Sequence, residues 1–506
     1  MSDNYRKNCY KKILDASSVY DIAIKSPMQF APKLSSKLKN KIYIKREDLQ
    51  PVFSFKLRGA YNKISKIKNP KHVIAASAGN HAQGVAISAQ KLGIRATIVM
   101  GQNTPSIKVN AVRDRGAKVV LHGDNYDEAS QHAKALCDAQ GLVYIPPYDD
   151  VDVIAGQGTI GMEIVNQHSE PLDAIFVPVG GGGLVAGVAA YVKYLHPQTK
   201  IIGVEAQGSN CLDAAMRAGR RVRLPIDQLD LFADGVSVAQ IGKETFKVAK
   251  KYVDDVVVVN VDEICAAIKD VFEDTRCVAE PAGALAIAGM KRYVDAHPGM
   301  SHVVSIVSGA NVNFDRLRHI SERAEVGEAR EAVLAVTIDE AKGSFLKFCR
   351  ALGKRAITEF NYRCADSEQA HIYVGIGVKS KEDRMALVAQ LESKGYRVFD
   401  MTENEAAKVH VRHMVGGHRG SPGSEMLFRF EFPERPGALL QFLSGLGVDW
   451  NISLFHYRNH GSAWGRVLVG FDAGAAERKQ LQAYLQRIGY RFWSEQDNPA
   501  YDLFLR

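Results

Sequence analysis

The sequence predicts an α/β protein in two parts. A large region with open, mostly parallel sheets runs to about residue 320, and a smaller α+β region, built twice, follows it. Three observations carry this. Eight short apolar runs between residues 72 and 309 are near-continuous rather than alternating, as parallel strands are when helices cover both faces. Between most of them lie 12 to 25 residues with helical spacing, which is repeated βα chemistry. Beyond residue 330 the chain matches itself at a nearly constant offset, the mark of a duplicated unit.

The strand candidates are, in order, HVIAAS (72–77), RATIVM (95–100), AKVVLHG (117–123), LVYIP (142–146), AIFVPV (174–179), KIIGVEA (200–206), DVVVVN (255–260) and HVVSIVSG (302–309). Segments such as NHAQGVAISAQKLG and LVAGVAAYVKYLH supply helices between them. The charged stretch SERAEVGEAREA (321–332) is poor in large apolar residues and reads as a helical connector. After it, IDEAKGSFLKFCRALG (338–353) overlays FPERPGALLQFLSGLG (432–447) at an offset of 94, pairing Gly343 with Gly437, Phe348 with Phe442, Leu352 with Leu446 and Gly353 with Gly447. ITEFNYR (357–363) overlays ISLFHYR (452–458) at an offset of 95. Each copy reads as strand, Gly-started helix, strand, so a pair of βαββαβ modules is expected. The Gly- and Ser-rich HMVGGHRGSPGSE (413–425) reads as a loop between them. The expected domains are 1–320, a connector at 321–330, and two units at 331–402 and 425–506.

A chain of 506 residues with 46% apolar and 24% charged residues is an ordinary globular composition and excludes a mostly disordered, collagen-like or coiled-coil protein. No stretch approaches 18 uninterrupted apolar residues, so no membrane span is expected. A net charge of +9 without a block of like charges gives no reason to expect nucleic acid as a partner. The seven cysteines are scattered, with no CxxC pair and no metal spacing, and the N-terminus lacks a secretory apolar run. Reduced thiols in the cytoplasm and no bound metal follow as expectations.

Four stretches carry chemistry. In SFKLRGAY (54–61), Lys56 is flanked by apolar residues and followed by Arg58. It is either a surface lysine of an amphipathic helix or an amine whose pKa is depressed for nucleophilic work. SAGNHAQG (77–84) follows a strand and opens a helix at Asn80; it is either a capped βα turn or a backbone cradle for a carboxylate. Gly180, Gly181, Gly182, Gly183 and Leu184 lie between a strand and a helix. Four glycines in a row are costly in entropy and pack nothing, so a backbone wrapped round a phosphate is the better reading; without a following Lys-Ser/Thr this is no Walker loop. Ser308, in SGAN, closes the last strand, where ligands bind in such sheets.

A dinucleotide reading competes. Gly181-x-Gly183-x-x-Ala186 with Glu205 ending the next strand fits a loose nicotinamide fingerprint, but it lacks the strict third glycine and leaves Lys56 and the asparagine turn unused. A catalytically silent amino-acid sensor built round the repeat is a third possibility.

Together the four stretches resemble the tryptophan-synthase-β-like (fold type II) pyridoxal-phosphate enzymes, and within them the threonine-deaminase group, whose biosynthetic members also carry two C-terminal ACT-like units. The resemblance covers essentially the whole chain. It implies pyridoxal 5'-phosphate as cofactor, with Lys56 as Schiff-base lysine and catalytic base, preceded by Phe55. It implies Asn80 at the cofactor's 3-hydroxyl, and the turn Ser77, Ala78, Gly79, Asn80 and His81 at the substrate carboxylate. Gly180–Gly183 and Leu184 would hold the phosphate, and Ser308 would face the pyridine nitrogen. A serine there need not keep the ring protonated as an aspartate would, which favours β-elimination over transamination. The implied substrate is L-threonine, giving 2-oxobutanoate and ammonia, with L-serine as a second substrate. Some relatives hold a divalent cation with the glutamate matching Glu205 and an aspartate six residues on; here that second position is Cys211, which argues against a metal. For the repeat, the resemblance implies feedback by isoleucine, antagonism by valine and a homotetramer, with effector contacts around Arg355, Leu439, Leu440 and Leu443. The alternative is an oligomerisation module without a ligand.

Overall fold

The protein is described from a computed structural model. It covers residues 3–339, 347–348, 351–352, 355, 357–362, 369–413, 425–433, 451–458, 464–473 and 476–504. The chain forms two compact units, Met1–Phe314 and Asp315–Arg506.

All eight expected strands of the first unit are present, divided between two sheets. His72–Ala76, Arg95–Met100, Lys118–Leu121 and Val143–Tyr144 make a four-stranded parallel sheet with Arg95–Met100 and His72–Ala76 at its centre. The other four join two further strands in a six-stranded sheet ordered Met28–Phe30, Lys41–Arg46, His302–Val307, Ala174–Pro178, Lys200–Ala206, Asp255–Val259. Only its Met28–Phe30 edge is antiparallel. The central strands His302–Val307 and Ala174–Pro178 are buried along their whole length. Helix Gly183–Leu195 is buried through Lys193, which its apolar, small-residue sequence allows on every face.

Strand Lys41–Arg46 lies ahead of the first strand expected from the sequence, and its KIYIKR ends in two cations. The structure shows why they are tolerated. Lys45 Nζ lies 2.5 Å from Glu163 Oε2 and 2.6 Å from the Ser26 carbonyl. Arg46 Nη2 donates to Asp48 at 2.7 Å. Arg58, fully buried, donates from Nε and Nη2 to Glu47 at 2.8 Å each and from Nη1 to Glu163 at 2.6 Å, and the Tyr20 hydroxyl donates to Glu163 at 2.8 Å. Two buried carboxylates thus face two buried cations in a hydrogen-bonded cluster, the condition under which buried charge is tolerable. Burial works against the charge of Arg58, and Glu47 and Glu163 more than offset it.

The second unit opens with helix Arg316–Gly327, in which Arg323 and Ala324 are buried. That helix takes in residues 321–327 of the stretch expected as a connector, and the second compact unit runs from Asp315. Two sheets follow with the same topology. Strands Ile357–Tyr362, Gln369–Gly377, Glu331–Asp339 and Arg397–Asp400 lie in that order, and Asn451–Arg458, Trp464–Asp472, Glu425–Pro433 and Arg491–Ser494 repeat it. Even the register shift recurs, at Ile357/Glu359 and at Ile452/Leu454. The two copies share one apolar cluster, with Val333, Tyr373 and Met401 from the first packed with Leu427, Leu468 and Tyr501 from the second. Of the repeat-pairing residues, Gly343, Gly353, Gly437, Phe442, Leu446 and Gly447 lie outside the described residues. No helix among the described residues is long and apolar enough to cross a membrane.

Candidate active site

The first turn of helix Lys56–Ser65 is tied to the end of strand His302–Val307. Phe55 N donates to the Ser308 carbonyl at 3.3 Å, and Ser54 bridges Gly309. This fixes the backbone of Lys56, but its amine is held loosely. Nζ makes one long contact of 3.3 Å to the Pro147 carbonyl and lies 5.4 Å from the Phe55 ring centroid. Burial pushes the Lys56 amine down to about 8, against the opposing pull of the Glu280 charge. A usable fraction is therefore neutral and nucleophilic near neutral pH.

The strand His72–Ala76 ends in the turn Ser77–Gly79, with Gly79 N donating to Ser77 Oγ at 3.2 Å, and Asn80 begins helix Asn80–Lys91. His81 is buried, with Nε2 at 2.9 Å from the Ile145 carbonyl, and burial beside Lys56 pushes it down to about 3. A carbonyl only accepts, so Nε2 carries the proton of a neutral ring. An anion at this turn would meet backbone N–H groups at a helix N-terminus rather than an imidazolium.

The Gly180–Gly183 run joins strand Ala174–Pro178 to helix Gly183–Leu195. Gly182 has φ +89°, a left-handed conformation that favours glycine. At Gly181 any Cβ would clash with the Cγ, Cδ1 and Cδ2 atoms of Tyr148, and at Gly180 it would lie 2.9 Å from Val236 Cα. The loop is held from behind: Thr245 Oγ1 donates to the Gly181 carbonyl at 2.8 Å and Gly242 N donates to it at 3.2 Å. Asp149 accepts from Lys243 N and Glu244 N at 2.8 and 2.7 Å. A backbone loop stripped of side chains at a helix N-terminus is a fitting cradle for a phosphate. Leu184 is buried at the start of that helix. Ser308 is buried, its Oγ donating to the Ala282 carbonyl at 3.2 Å.

The expected residues are linked through shared neighbours. Phe55 and Ser308 are bonded directly. Pro147 meets Lys56 while Tyr148 covers Gly181 and Gly183. Three participants were not singled out as site residues from the sequence. Glu280 is buried and accepts from Asn80 Nδ2 at 2.5 Å; Asn311 Nδ2 donates to Asn80 Oδ1 at 2.7 Å; and Tyr148 packs on the glycines. The signal available for Glu280 was an acid directly before the Pro281 that opens helix Pro281–Ala296.

Glu205 lies at the end of its strand, and its carboxylate accepts from Leu212 N and Asp213 N at 2.8 Å each. Burial pushes it up to about 8, against the pull of those two backbone hydrogen bonds. Arg355 forms a bidentate pair with Asp383 at 2.6 and 2.8 Å. Leu439, Leu440 and Leu443 lie outside the described residues.

This loosely held buried amine beside a glycine phosphate cradle agrees with what comparison with known proteins finds. Residues 19–309 match the family described as pyridoxal-phosphate dependent enzyme. Residues 322–411 and 417–505 each match the C-terminal regulatory domain of threonine dehydratase. The biosynthetic L-threonine dehydratase IlvA of Pasteurella multocida is 52% identical over 98% of this chain and 97% of its own. Its Escherichia coli K12 counterpart is 52% identical over 98% and 97%. The chain belongs to the pyridoxal-phosphate-dependent threonine dehydratases. The processed threonine deaminase isoform 2 of Solanum lycopersicum superposes with a TM-score of 0.63 at 48% identity, covering 64% of this chain and 90% of that one. Family membership sets aside the nicotinamide reading of the glycine loop, and pyridoxal phosphate is the cofactor of this enzyme class. The second unit is regulatory in family.

Proposed function

We propose that this chain is a threonine ammonia-lyase: it converts L-threonine to 2-oxobutanoate and ammonia, with L-serine as a secondary substrate giving pyruvate, and isoleucine restrains it as end product. The observation that carries this is the loosely held Lys56 amine, depressed to about 8, whose contact Pro147 adjoins the Tyr148 that covers the glycine loop. Pyridoxal phosphate, when bound, supplies an electron sink for the charge that develops at the substrate Cα.

The chain's own residues do the rest. Lys56, freed as a neutral amine, takes the Cα proton as general base, for which a pKa near the working pH is suited. The N–H groups of the Gly180–Leu184 loop hold the phosphate, and the Ser77–His81 turn holds the substrate carboxylate. Asn80 donates to the 3-hydroxyl oxygen, while Phe55 stands beside Lys56. Ser308 meets the pyridine nitrogen with a hydroxyl rather than a carboxylate. The departing β-hydroxyl leaves as water with one added proton, and one water returns when the resulting enamine is hydrolysed, so the net change is loss of ammonia. The units 331–402 and 425–506 bind isoleucine, and valine in opposition, around Arg355, Leu439, Leu440 and Leu443, in a cytoplasmic homotetramer.

Purified holoenzyme should release 2-oxobutanoate from L-threonine, less so with isoleucine present, and Lys56→Ala should lose about a thousandfold or more of that turnover while remaining folded. Full turnover by Lys56→Ala would overturn the assignment. Unchanged turnover at saturating isoleucine, with no heat on titrating it into the full chain, would remove the regulatory half alone.

A further inference from the structure

A directional hydrogen-bond chain runs through Asn80. It begins at the Val52 carbonyl, which can only accept, so the Asn311 atom 2.8 Å away must be the amide nitrogen. That same Nδ2 lies 2.7 Å from Asn80, so the Asn80 atom facing it must be the oxygen. The Asn80 amide nitrogen is thereby turned to the other side, where Glu280 Oε1 receives it at 2.5 Å. An amide can normally be placed either way round from its shape alone; here both ends are read by partners of fixed polarity. The partners are themselves held. Glu280 N donates to the Gly309 carbonyl at 3.2 Å, and Ala310 N donates to the Phe53 carbonyl at 2.9 Å, tying both loops to the segment that carries Lys56. Ser88, later in the Asn80 helix, bonds only within that helix, to the Gly84 carbonyl at 2.6 Å; Asn80 reaches 200 residues along the chain for its partner.

We propose that Glu280 and Asn311 are positioning residues that lock the Asn80 amide with its nitrogen toward Glu280, so that its second Nδ2 hydrogen is presented to the cofactor's ring oxygen. The inference rests on the pyridoxal-phosphate reading above. Neither residue touches a reacting atom; they set which end of Asn80 does. A donor fixed in place before the cofactor arrives stabilises the negative charge on that oxygen without reorganisation. A flipped amide would set oxygen against oxygen.

Three holoenzyme variants test it, read by the visible absorption band of the Lys56-linked cofactor and by cofactor affinity from reconstitution of the apoenzyme. Glu280→Gln keeps an acceptor opposite Asn80 and should keep the wild-type band. Glu280→Ala should displace the band and weaken cofactor binding about tenfold or more, the scale of one charge-assisted hydrogen bond. Asn311→Asp puts an acceptor where the donor was, so that no orientation of the Asn80 amide satisfies both neighbours, and it should shift the band at least as far as Glu280→Ala. An unchanged band in Asn311→Asp, or a Glu280→Gln spectrum matching that of Glu280→Ala, overturns the proposal. If Glu280→Ala does not fold, the other two variants decide alone. If wild-type protein forms no yellow, borohydride-reducible species, the cofactor reading has failed instead, an outcome distinct from a normal wild-type spectrum that the variants leave unmoved.

Discussion

Lys56 and Arg58 stand two residues apart on one helix, and their surroundings are opposite. Arg58 is fully buried and saturated: two carboxylates, a threonine hydroxyl and a backbone carbonyl receive its donors. Lys56 has a single long carbonyl contact and a depressed pKa. The same helix turn thus holds a cation that cannot leave and an amine free to react. The difference lies in what faces each group. Glu47 and Glu163 hold the guanidinium charged, whereas Glu280 is engaged with Asn80 and only partly offsets the burial of the lysine. A reactive group needs a rigid backbone and an under-committed side chain, and the neighbouring ion cluster supplies the rigidity.

Replacing each cation separates these roles. Lys56→Ala should lower turnover by about a thousandfold or more, the scale expected for losing a general base that is also the covalent anchor, while urea unfolding of the apoprotein is unchanged or improved. A matching loss of stability would show that the two sites are not distinct. Arg58→Met should do the reverse and destabilise the fold by about 3–5 kcal/mol, because it strands buried carboxylates, measured as a lower denaturation midpoint. A change below about 1 kcal/mol would mean that water or protonation relieves the cluster.

The contrast extends to pH. The folded apoprotein holds Lys56 with a pKa of about 8 against an ordinary 10.5. Between those values the unfolded chain binds the extra proton, so stability rises with pH there. Wild-type apoprotein should therefore gain on Lys56→Met between pH 7 and pH 10 in paired urea titrations, by roughly 1–3 kcal/mol. Against Arg58→Lys, which keeps Lys56, wild type should show no such gain. The smallest effect is expected at the Arg355–Asp383 pair, a quarter exposed on both sides. Arg355→Ala should cost about 0–1 kcal/mol of stability, so a larger loss of isoleucine response in that variant would report ligand contact rather than unfolding.

The sequence made the parallel strands legible because each is an apolar run, and the four motifs legible because glycine, lysine and asparagine stand where packing alone would not put them. Strand Lys41–Arg46 was hidden because burial of Lys45 is permitted by Glu163, 118 residues away, and no local pattern reports such a pairing. Which strands share a sheet was hidden for the same reason: an apolar run shows that a strand is buried, not which strand lies beside it. The roles of Glu280 and Asn311 depend on polarity handed along a chain of contacts spanning Val52 to Asn311. The stretch read as a connector because it is charged and poor in large apolar residues, yet Arg323 within it is buried and forms a bidentate pair with Glu405 at 2.9 and 3.0 Å.

The Tyr148 ring occupies the volume into which residue 181 would grow. Every amino acid other than glycine begins its side chain with that carbon, so no missense change in the codon for 181 is conservative. The usual ladder of gradual replacement is absent. A lineage could leave glycine at 181 only by trimming the aromatic at 148 as well, so the two positions are bound to change as a couple or not at all.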